Sequence, residues 1–92
     1  MIATIRHKGL KLLFHDGDRS KIRPDIAGKA EYFLSLLSEA EMIEDVDVLG
    51  FSLHPLKGDL KGFWGVSVSR NHRIIFRFEN GKAYDVDLTD YH

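Results

Sequence analysis

The boundary between two strands is predicted by the segment Leu53-His54-Pro55-Leu56-Lys57-Gly58-Asp59-Leu60-Lys61-Gly62-Phe63-Trp64. Pro55 cannot donate a hydrogen bond to a neighbouring strand and is typical of a strand end or edge. Gly58-Asp59 and Gly62 are turn residues of the kind that join two strands. His54 and Lys57 therefore flank a strand terminus, where a rigid sheet can hold chemical groups. Taken alone, the pattern is typical of an ordinary solvated hairpin loop.

Downstream of this segment, apolar residues alternate with more polar ones, which predicts further strands. Two turns separate them, Arg70-Asn71-His72 and Asn80-Gly81, and the second is a strong two-residue hairpin signal. In the last strand, Tyr84, Val86 and Leu88 are expected on the apolar side. Each strand then has one side for packing and a polar side left open. The residues expected on the polar side are His54 and Lys57 near one strand end, Arg73 and Arg77 on a central strand, and Ser67.

Upstream, the sequence predicts one strand and two helices. The β-branched segment from residue 2 to residue 5 is expected to form the first strand, and Gly9 to mark a break after it. A short helix follows, with its apolar face on Leu10, Leu13 and Phe14. The second helix is expected to begin near Pro24, whose missing N–H costs nothing in the first turn. Its residues with a 3.6-residue period are Ile26, Ala30, Phe33, Leu34 and Leu37.

The predicted architecture is α+β, with the order β-α-α-β-β-β-β, a largely antiparallel sheet and two helices on one face. Residues 1–92 are expected to form a single domain, since 92 residues with 43% hydrophobic and 29% charged side chains are typical of one small globular unit. There is no cysteine, which excludes disulfides and thiolate zinc sites. No apolar run approaches the roughly 20 residues of a membrane span, and a cytoplasmic location is expected.

The charge distribution is uneven although the net charge is only −1. Residues 1–30 carry seven Lys or Arg against three Asp, and residues 31–50 carry six acids and no base. Residues 51–78 carry five bases against one acid. The basic segments are suited to phosphates. Composition alone favours the plainer interpretation, in which the blocks balance one another across the surface.

Two histidines and two cations are suited to cleaving RNA, namely His54, His92, Lys57 and Arg73. The reaction needs a base for the 2′-OH proton, an acid for the leaving 5′-oxygen and cations for the charged transition state. Histidine, with an unperturbed pKa of about 6.5, suits both proton roles. Each residue also has a plainer interpretation: Arg73 and Arg77 can pair with Asp85 or Asp87 across a hairpin, and a terminal Tyr91-His92 is ordinarily frayed. The five histidines show no close ligand spacing, so no metal site is expected.

Several short motifs, in order along the chain, resemble the HigB branch of the RelE toxins, which are the toxin halves of bacterial toxin–antitoxin pairs. The resemblance runs from Ile5-Arg6-His7-Lys8-Gly9-Leu10 to the last residue and is densest from Leu53 onward. The motifs are His54-Pro55-Leu56-Lys57-Gly58-Asp59, Gly62-Phe63-Trp64, Asn71-His72-Arg73-Ile74, Phe76-Arg77-Phe78, Gly81-Lys82-Ala83-Tyr84 and Asp90-Tyr91-His92.

The resemblance implies a RelE-like fold and a metal-independent endoribonuclease that cuts mRNA in the ribosomal A site and leaves a cyclic phosphate. It implies no cofactor. The implied partners are a HigA-like helix-turn-helix antitoxin, the 70S ribosome with its mRNA, and operator DNA reached only through the antitoxin. The matching catalytic residues are His54, Lys57, Arg73, Asp90, Tyr91 and His92, and Arg77 and Lys61 are expected to contact RNA.

Within the resemblance, His92 is expected to lead proton transfer and His54 to be its partner or a phosphate contact, which leaves open which histidine is acid and which is base. Lys57 and Arg73 would stabilise the transition state, while Tyr91 stacks on a base and Asp90 orients the pair after it. A rival hypothesis is a catalytically weak toxin homologue that acts mainly by binding its antitoxin and co-repressing their operon. The departures from the family pattern are His72 in place of tryptophan, Gly65 in place of serine and Phe63 in place of tyrosine.

Overall fold

Two helices precede a four-stranded antiparallel sheet in the computed structural model, which describes residues 1–90. The strands lie in the order β1-β2-β3-β4, each antiparallel to its neighbour. This confirms the predicted α+β class. The elements are α1 (Lys8–Asp16), α2 (Pro24–Glu39), a 3₁₀ turn (Ile43–Val46), β1 (His54–Pro55), a second 3₁₀ turn (Gly58–Leu60), β2 (Trp64–Ser67), β3 (His72–Glu79) and β4 (Lys82–Asp90). No helix among residues 1–90 is long and apolar enough to cross a membrane.

Helix α2 covers one face of the sheet, as its apolar period predicts. It begins at Pro24, and every residue of the predicted stripe is buried. Phe33 joins the layers, since its ring centroid lies 5.7 Å from that of Phe76 in β3 and 5.1 Å from that of Phe51. The opposite face, which carries Gly65 and Ile75, is called the open face below. Alternation along β2 and β3 directs these two residues away from the core.

Helix α1 includes Gly9, so the prediction that this glycine marks a break is wrong. The helix starts because the Nδ1 atom of His7 accepts a hydrogen bond from the N–H of Leu10, at 3.2 Å. It ends at Gly17, which adopts a left-handed conformation with φ of 68°. Gly9 is needed for packing: a Cβ there would lie only 2.8 Å from the carbonyl oxygen of Lys21.

The predicted first strand is not formed as a strand. Residues 2 and 5 instead make two isolated parallel bridges to β4, Ile2 with Ala83 and Ile5 with Val86. Between the bridges the ladder is broken, because the hydroxyl oxygen of Thr4 accepts the N–H of Asp85 at 2.7 Å. The segment is therefore docked on the edge of β4 through side-chain as well as backbone bonds.

Strand β4 contains a bulge that the sequence pattern did not predict. Ile75 pairs with Asp87 but Arg77 pairs with Tyr84, so β4 has one residue more than β3 over this interval. The extra residue adopts a left-handed backbone conformation, with φ of 55° at Asp85. The side-chain alternation therefore reverses beyond it. The prediction that Tyr84 shares the apolar side with Val86 is wrong, and Ala83 is the buried residue.

Strand β1 is two residues long. Ser52 adopts φ of 56°, which an extended strand does not allow, and only His54 and Pro55 pair with β2. Phe51 is nevertheless buried, and its carbonyl oxygen accepts the N–H of Ser67 at 2.7 Å. The chain therefore crosses from the core to the open face between Phe51 and His54.

Candidate active site

One row of paired residues crosses the open face. His54 pairs with Gly65, Gly65 with Ile75, and Ile75 with Asp87. Because paired residues on neighbouring strands point to the same side, His54 and Asp87 lie on one face with a small, apolar floor between them. Gly65 and Ile75 are both buried, although Ile75 lies outside the main core.

A backbone contact orients the ring of His54. Its Nδ1 atom lies 2.8 Å from the carbonyl oxygen of Ser52. A carbonyl oxygen only accepts, so this contact places the proton of the neutral ring on Nδ1 and leaves a lone pair on Nε2. The left-handed conformation of Ser52 directs that carbonyl towards the ring, which is the kind of backbone strain found at functional sites. Nothing in the residue type of Ser52 signals this role.

Gly65 leaves space beneath the His54 ring. A Cβ at this position would lie 3.6 Å from both Cε1 and Nε2 of His54 and 3.1 Å from a methyl group of Leu56. The serine that the resemblance implies at this position would therefore place its Cβ in van der Waals range of the His54 ring. In this chain, Gly65 supplies no hydroxyl group to the His54 ring.

The loop between β1 and β2 carries two exposed cations. Lys57 precedes the 3₁₀ turn Gly58–Leu60 and Lys61 follows it. The loop is closed by a hydrogen bond from the N–H of Leu56 to the carbonyl oxygen of Phe63, at 2.9 Å. Lys57 therefore lies just after β1, the strand that carries His54.

Arg73 lies on the open face, one row away from His54. It pairs with Ser67 on β2 and with Thr89 on β4. Successive rows on one face are separated by two residues, or about 7 Å along the strands. The hydroxyl group of Thr89 also donates to the carbonyl oxygen of Arg73, at 3.5 Å. The structure thus places His54 and Arg73 on the same face of the sheet, on β1 and β3 and one row apart, with Lys57 in the loop after β1.

Arg77 is held in an ion pair, which the sequence left open as an alternative to RNA contact. Its guanidinium group lies 2.9 and 3.0 Å from one carboxylate oxygen of Asp85, and the other oxygen is 3.5 Å from Arg6. Arg77 also lies over the ring of Tyr84, at 5.4 Å from the centroid. Asp85 therefore neutralises much of the positive charge at this end of the face and sets the position of Arg77.

Asp90 lies at the end of the sheet, paired with His72 rather than within the His54 row. Alternation along β4 directs Asp90 to the side opposite Thr89, towards a cleft that His72 also lines. The ring of His72, one of the departures, is held at Nδ1 by the hydroxyl group of Ser69 at 2.9 Å. Tyr91 and His92, two of the predicted catalytic residues, lie outside the described residues.

A carboxylate in the loop between α1 and α2 has a perturbed pKa. Among residues 1–90, the pKa of Asp18 is lowered from its ordinary value, chiefly because the backbone N–H of Ser20 donates to its carboxylate. In the same part of the chain, no three His, Asp or Glu side chains are grouped to hold a metal ion. The open face offers the lone pair on Nε2 of His54, and the cations Lys57 and Arg73 lie on the loop after β1 and on β3.

Comparison with known proteins gives two matches of full or nearly full length. A family model described as the RelE-like toxin of the type II toxin–antitoxin system HigB matches residues 3–92. The protein named Endoribonuclease HigB from Proteus vulgaris is 40% identical over 92 residues, which cover 100% of both chains. The predicted resemblance is confirmed by these matches, and the sheet with two helices agrees with it.

Proposed function

Because the chain belongs to the HigB family of RelE-like toxins of type II toxin–antitoxin systems, we propose that it is an endoribonuclease that cuts mRNA in the ribosomal A site and so inhibits translation. The observation that carries the proposal is the state of the His54 ring. Its Nδ1 atom donates to the carbonyl oxygen of Ser52 at 2.8 Å, which leaves Nε2 ready to accept a proton. The relative from Proteus vulgaris carries the name of an endoribonuclease.

The proposed reaction begins with the 2′-OH of the nucleotide before the cleaved bond. His54 Nε2 takes the 2′-OH proton, the 2′-oxygen attacks phosphorus, and the bond from phosphorus to the 5′-oxygen breaks. The products are a 2′,3′-cyclic phosphate and a 5′-OH. His92 is proposed to protonate the leaving 5′-oxygen, with Asp90 orienting the residues after it and Tyr91 stacking on a base.

Lys57 and Arg73 are proposed to stabilise the negative charge that develops on the phosphate oxygens. Both are cations that flank the His54 row, one in the loop after β1 and one on β3. Two proton carriers and two cations complete the requirements of the reaction without a metal ion. Arg77 is a weaker candidate for phosphate contact, because Asp85 already pairs with it. Lys61 remains a proposed RNA contact beside Lys57.

The charge of the protein supports the proposed dependence on the ribosome. The net charge of −1 provides little general attraction for RNA. A site with few catalytic groups needs its substrate held in position by another body, and positioning alone can supply a large part of a rate enhancement. The proposed partners are therefore the 70S ribosome with its mRNA and, as inhibitor, a HigA-like helix-turn-helix antitoxin through which operator DNA is reached. A cytoplasmic location goes with these partners.

The rival hypothesis, a catalytically weak module that mainly binds its antitoxin and co-represses the operon, is not favoured. Five of the six family positions have retained residues suited to proton transfer or charge stabilisation, and the sixth is a tyrosine suited to stacking. The comparisons name an endoribonuclease and give no support to a purely regulatory role.

Induced expression in bacteria separates the two hypotheses. Growth arrest with transcripts cut inside their coding regions is the expected result for the parent chain, and His54→Ala should grow normally while still being held by the antitoxin. The matched control is His15→Ala, an exposed histidine at the end of α1. Normal growth of cells that accumulate the folded parent would favour the regulatory module instead.

A further inference from the structure

A cleft of about 230 Å³ opens at the end of the sheet where β3 begins and β4 ends. It lies around the corner from the open face, because His72 and Asp90 occupy the pleat opposite to Arg73 and Thr89. The loop between α1 and α2 forms its other wall. The lining residues are His7, Lys21, Ile22, Arg23, Ile26, His72, Leu88, Thr89 and Asp90.

The loop that forms this wall is fixed by several contacts. The carboxylate of Asp18 accepts the N–H of Ser20 at 2.9 Å, which makes a local turn. Arg19 pairs with Glu31 of α2 at 2.6 Å. The absence of a side chain at Gly9 lets the backbone of Lys21 approach α1 closely. The cleft is therefore a built feature of the fold, with its wall held against both helices.

The cleft combines an apolar base with a cation and a carboxylate. Ile22 and Ile26 are buried in the core and present only a small apolar surface, to which Leu88 adds. The guanidinium group of Arg23 is held by two hydrogen bonds of 3.1 Å to Asp25, so much of its charge is already balanced. Lys21, which is exposed, is thus the main source of positive charge at the rim.

The polar groups of the cleft offer both donors and acceptors. Nδ1 of His7 accepts the N–H of Leu10, so the proton of its neutral ring is on Nε2. Asp90 at the opposite side has a carboxylate, which accepts hydrogen bonds from hydroxyl and amino groups. One cation, one carboxylate and an apolar surface within a small volume match a single ribonucleotide, which has one phosphate, a ribose with hydroxyl groups and a flat base.

We propose that this cleft binds one nucleotide of the RNA strand. Lys21 binds its phosphate, the base lies against Leu88 and Ile22, and Asp90 accepts a hydrogen bond from the ribose or the base. The volume is below the range of about 300–1,000 Å³ typical of pockets for larger ligands, which limits the occupant to one nucleotide. The inference rests on the proposed function, since it assumes an RNA substrate.

The test measures RNA binding without cleavage. A 2′-O-methylated RNA trinucleotide, which has no free 2′-OH and cannot be cut, is titrated into the full-length protein while backbone amide signals are followed by NMR. We expect the largest shifts at residues of the cleft, such as Ile22 and Thr89. Lys21→Ala should weaken binding by about tenfold and lower the slope of log affinity against log salt by about 0.7, the contribution of one phosphate contact.

Lys11→Ala is the matched control, because Lys11 is an exposed lysine of α1 that does not line the cleft. It should bind RNA like the parent. An abasic trinucleotide with the same phosphates should bind about tenfold more weakly than the complete one, since base contact is lost. Unchanged binding by Lys21→Ala, or shifts confined to the open face, would overturn the proposal. Equal binding of the abasic probe, or binding of an acidic peptide in place of RNA at the cleft, would also overturn it.

Cleavage on ribosomes is measured separately, so that failure of the two proposals can be told apart. Lys21→Ala should raise the KM for programmed ribosomes and leave the rate at saturation close to that of the parent. If the parent binds the trinucleotide in the cleft but cuts no mRNA, the proposed reaction fails and the cleft remains a nucleotide site. If the parent cuts mRNA and Lys21→Ala has the same kcat/KM, the cleft fails and the reaction remains.

Discussion

Two helical glycines should respond with opposite sign to the same substitution. Gly9 in α1 is buried, and a Cβ there would meet the carbonyl oxygen of Lys21 at 2.8 Å and both His7 and Ile22 at 2.9 Å. Gly28 in α2 is exposed, and a Cβ there would have no neighbouring atom within 4 Å. Both glycines lie within helices, so the difference between them is the packing around the added methyl group.

Gly28→Ala should stabilise the protein by up to about 1 kcal/mol, the difference in helix propensity between alanine and glycine. Gly9→Ala gains less from propensity, because Gly9 lies in the first turn of α1. Overpacking against a backbone carbonyl costs about 1–3 kcal/mol, so a net loss of about 1–2 kcal/mol is expected. In a domain of this size, each kcal/mol corresponds to a change of about 4–8 °C in Tm.

The assay is equilibrium unfolding in urea for the parent, Gly9→Ala, Gly28→Ala and the double variant. The two sites lie on different helices without a shared partner, so their effects should add within about 0.5 kcal/mol. Gly9→Ala should also weaken RNA binding at the cleft, because the loop that carries Lys21 must move. A Gly9→Ala protein as stable as the parent would refute the close approach of the loop, and with it the account of how the cleft is held.

Three further predictions concern the site and its surroundings. Lys57→Ala and Arg73→Ala should each lower single-turnover cleavage on ribosomes by about 10²–10³-fold, with little change in Tm. If either variant cleaves like the parent, the replaced residue has no catalytic role. Asp85→Asn should cost about 1 kcal/mol in urea unfolding, because the Arg77 ion pair is only partly exposed, and should strengthen RNA binding by releasing Arg77; unchanged stability would count against the ion pair. The pKa of Asp18 is lowered in the folded state, so its carboxylate contributes stability above its ordinary value of 3.8. The difference in unfolding free energy between the parent and Asp18→Ala should therefore shrink as the pH falls below 3.8. A difference that grows as the pH falls would contradict a lowered pKa of Asp18.

Much of the fold could be predicted because its signals are local. The 3.6-residue period of α2 and the Pro24 start depend only on neighbouring residues, as does the hairpin turn at Asn80-Gly81. The bulge at Asp85 could not be predicted in this way. It depends on the hydroxyl group of Thr4, 81 positions away in the sequence, which takes the N–H that a regular ladder would use. One such long-range bond was enough to reverse the expected alternation of Tyr84.

The candidate site was predictable in its residue types and less so in its geometry. His54 and Arg73 lie on one face because strand alternation, a local property, directs both to the same side. The role of Ser52 was not visible, since its left-handed backbone results from the crossing of the chain between the core and the open face. The cleft beside Asp90 was not visible either, because it depends on the docking of the loop after α1 against the sheet end.

We propose that the protein cuts mRNA that the ribosome holds in position. The most direct measurement is the rate of cleavage of one mRNA, free and bound in programmed 70S ribosomes, by the purified parent chain at physiological salt. We expect a cut within the A-site codon on the ribosome, a 2′,3′-cyclic phosphate at the new end, and at most slow cleavage of the free mRNA. Equally rapid cleavage of the free mRNA, or no cleavage on the ribosome by folded protein, would contradict it.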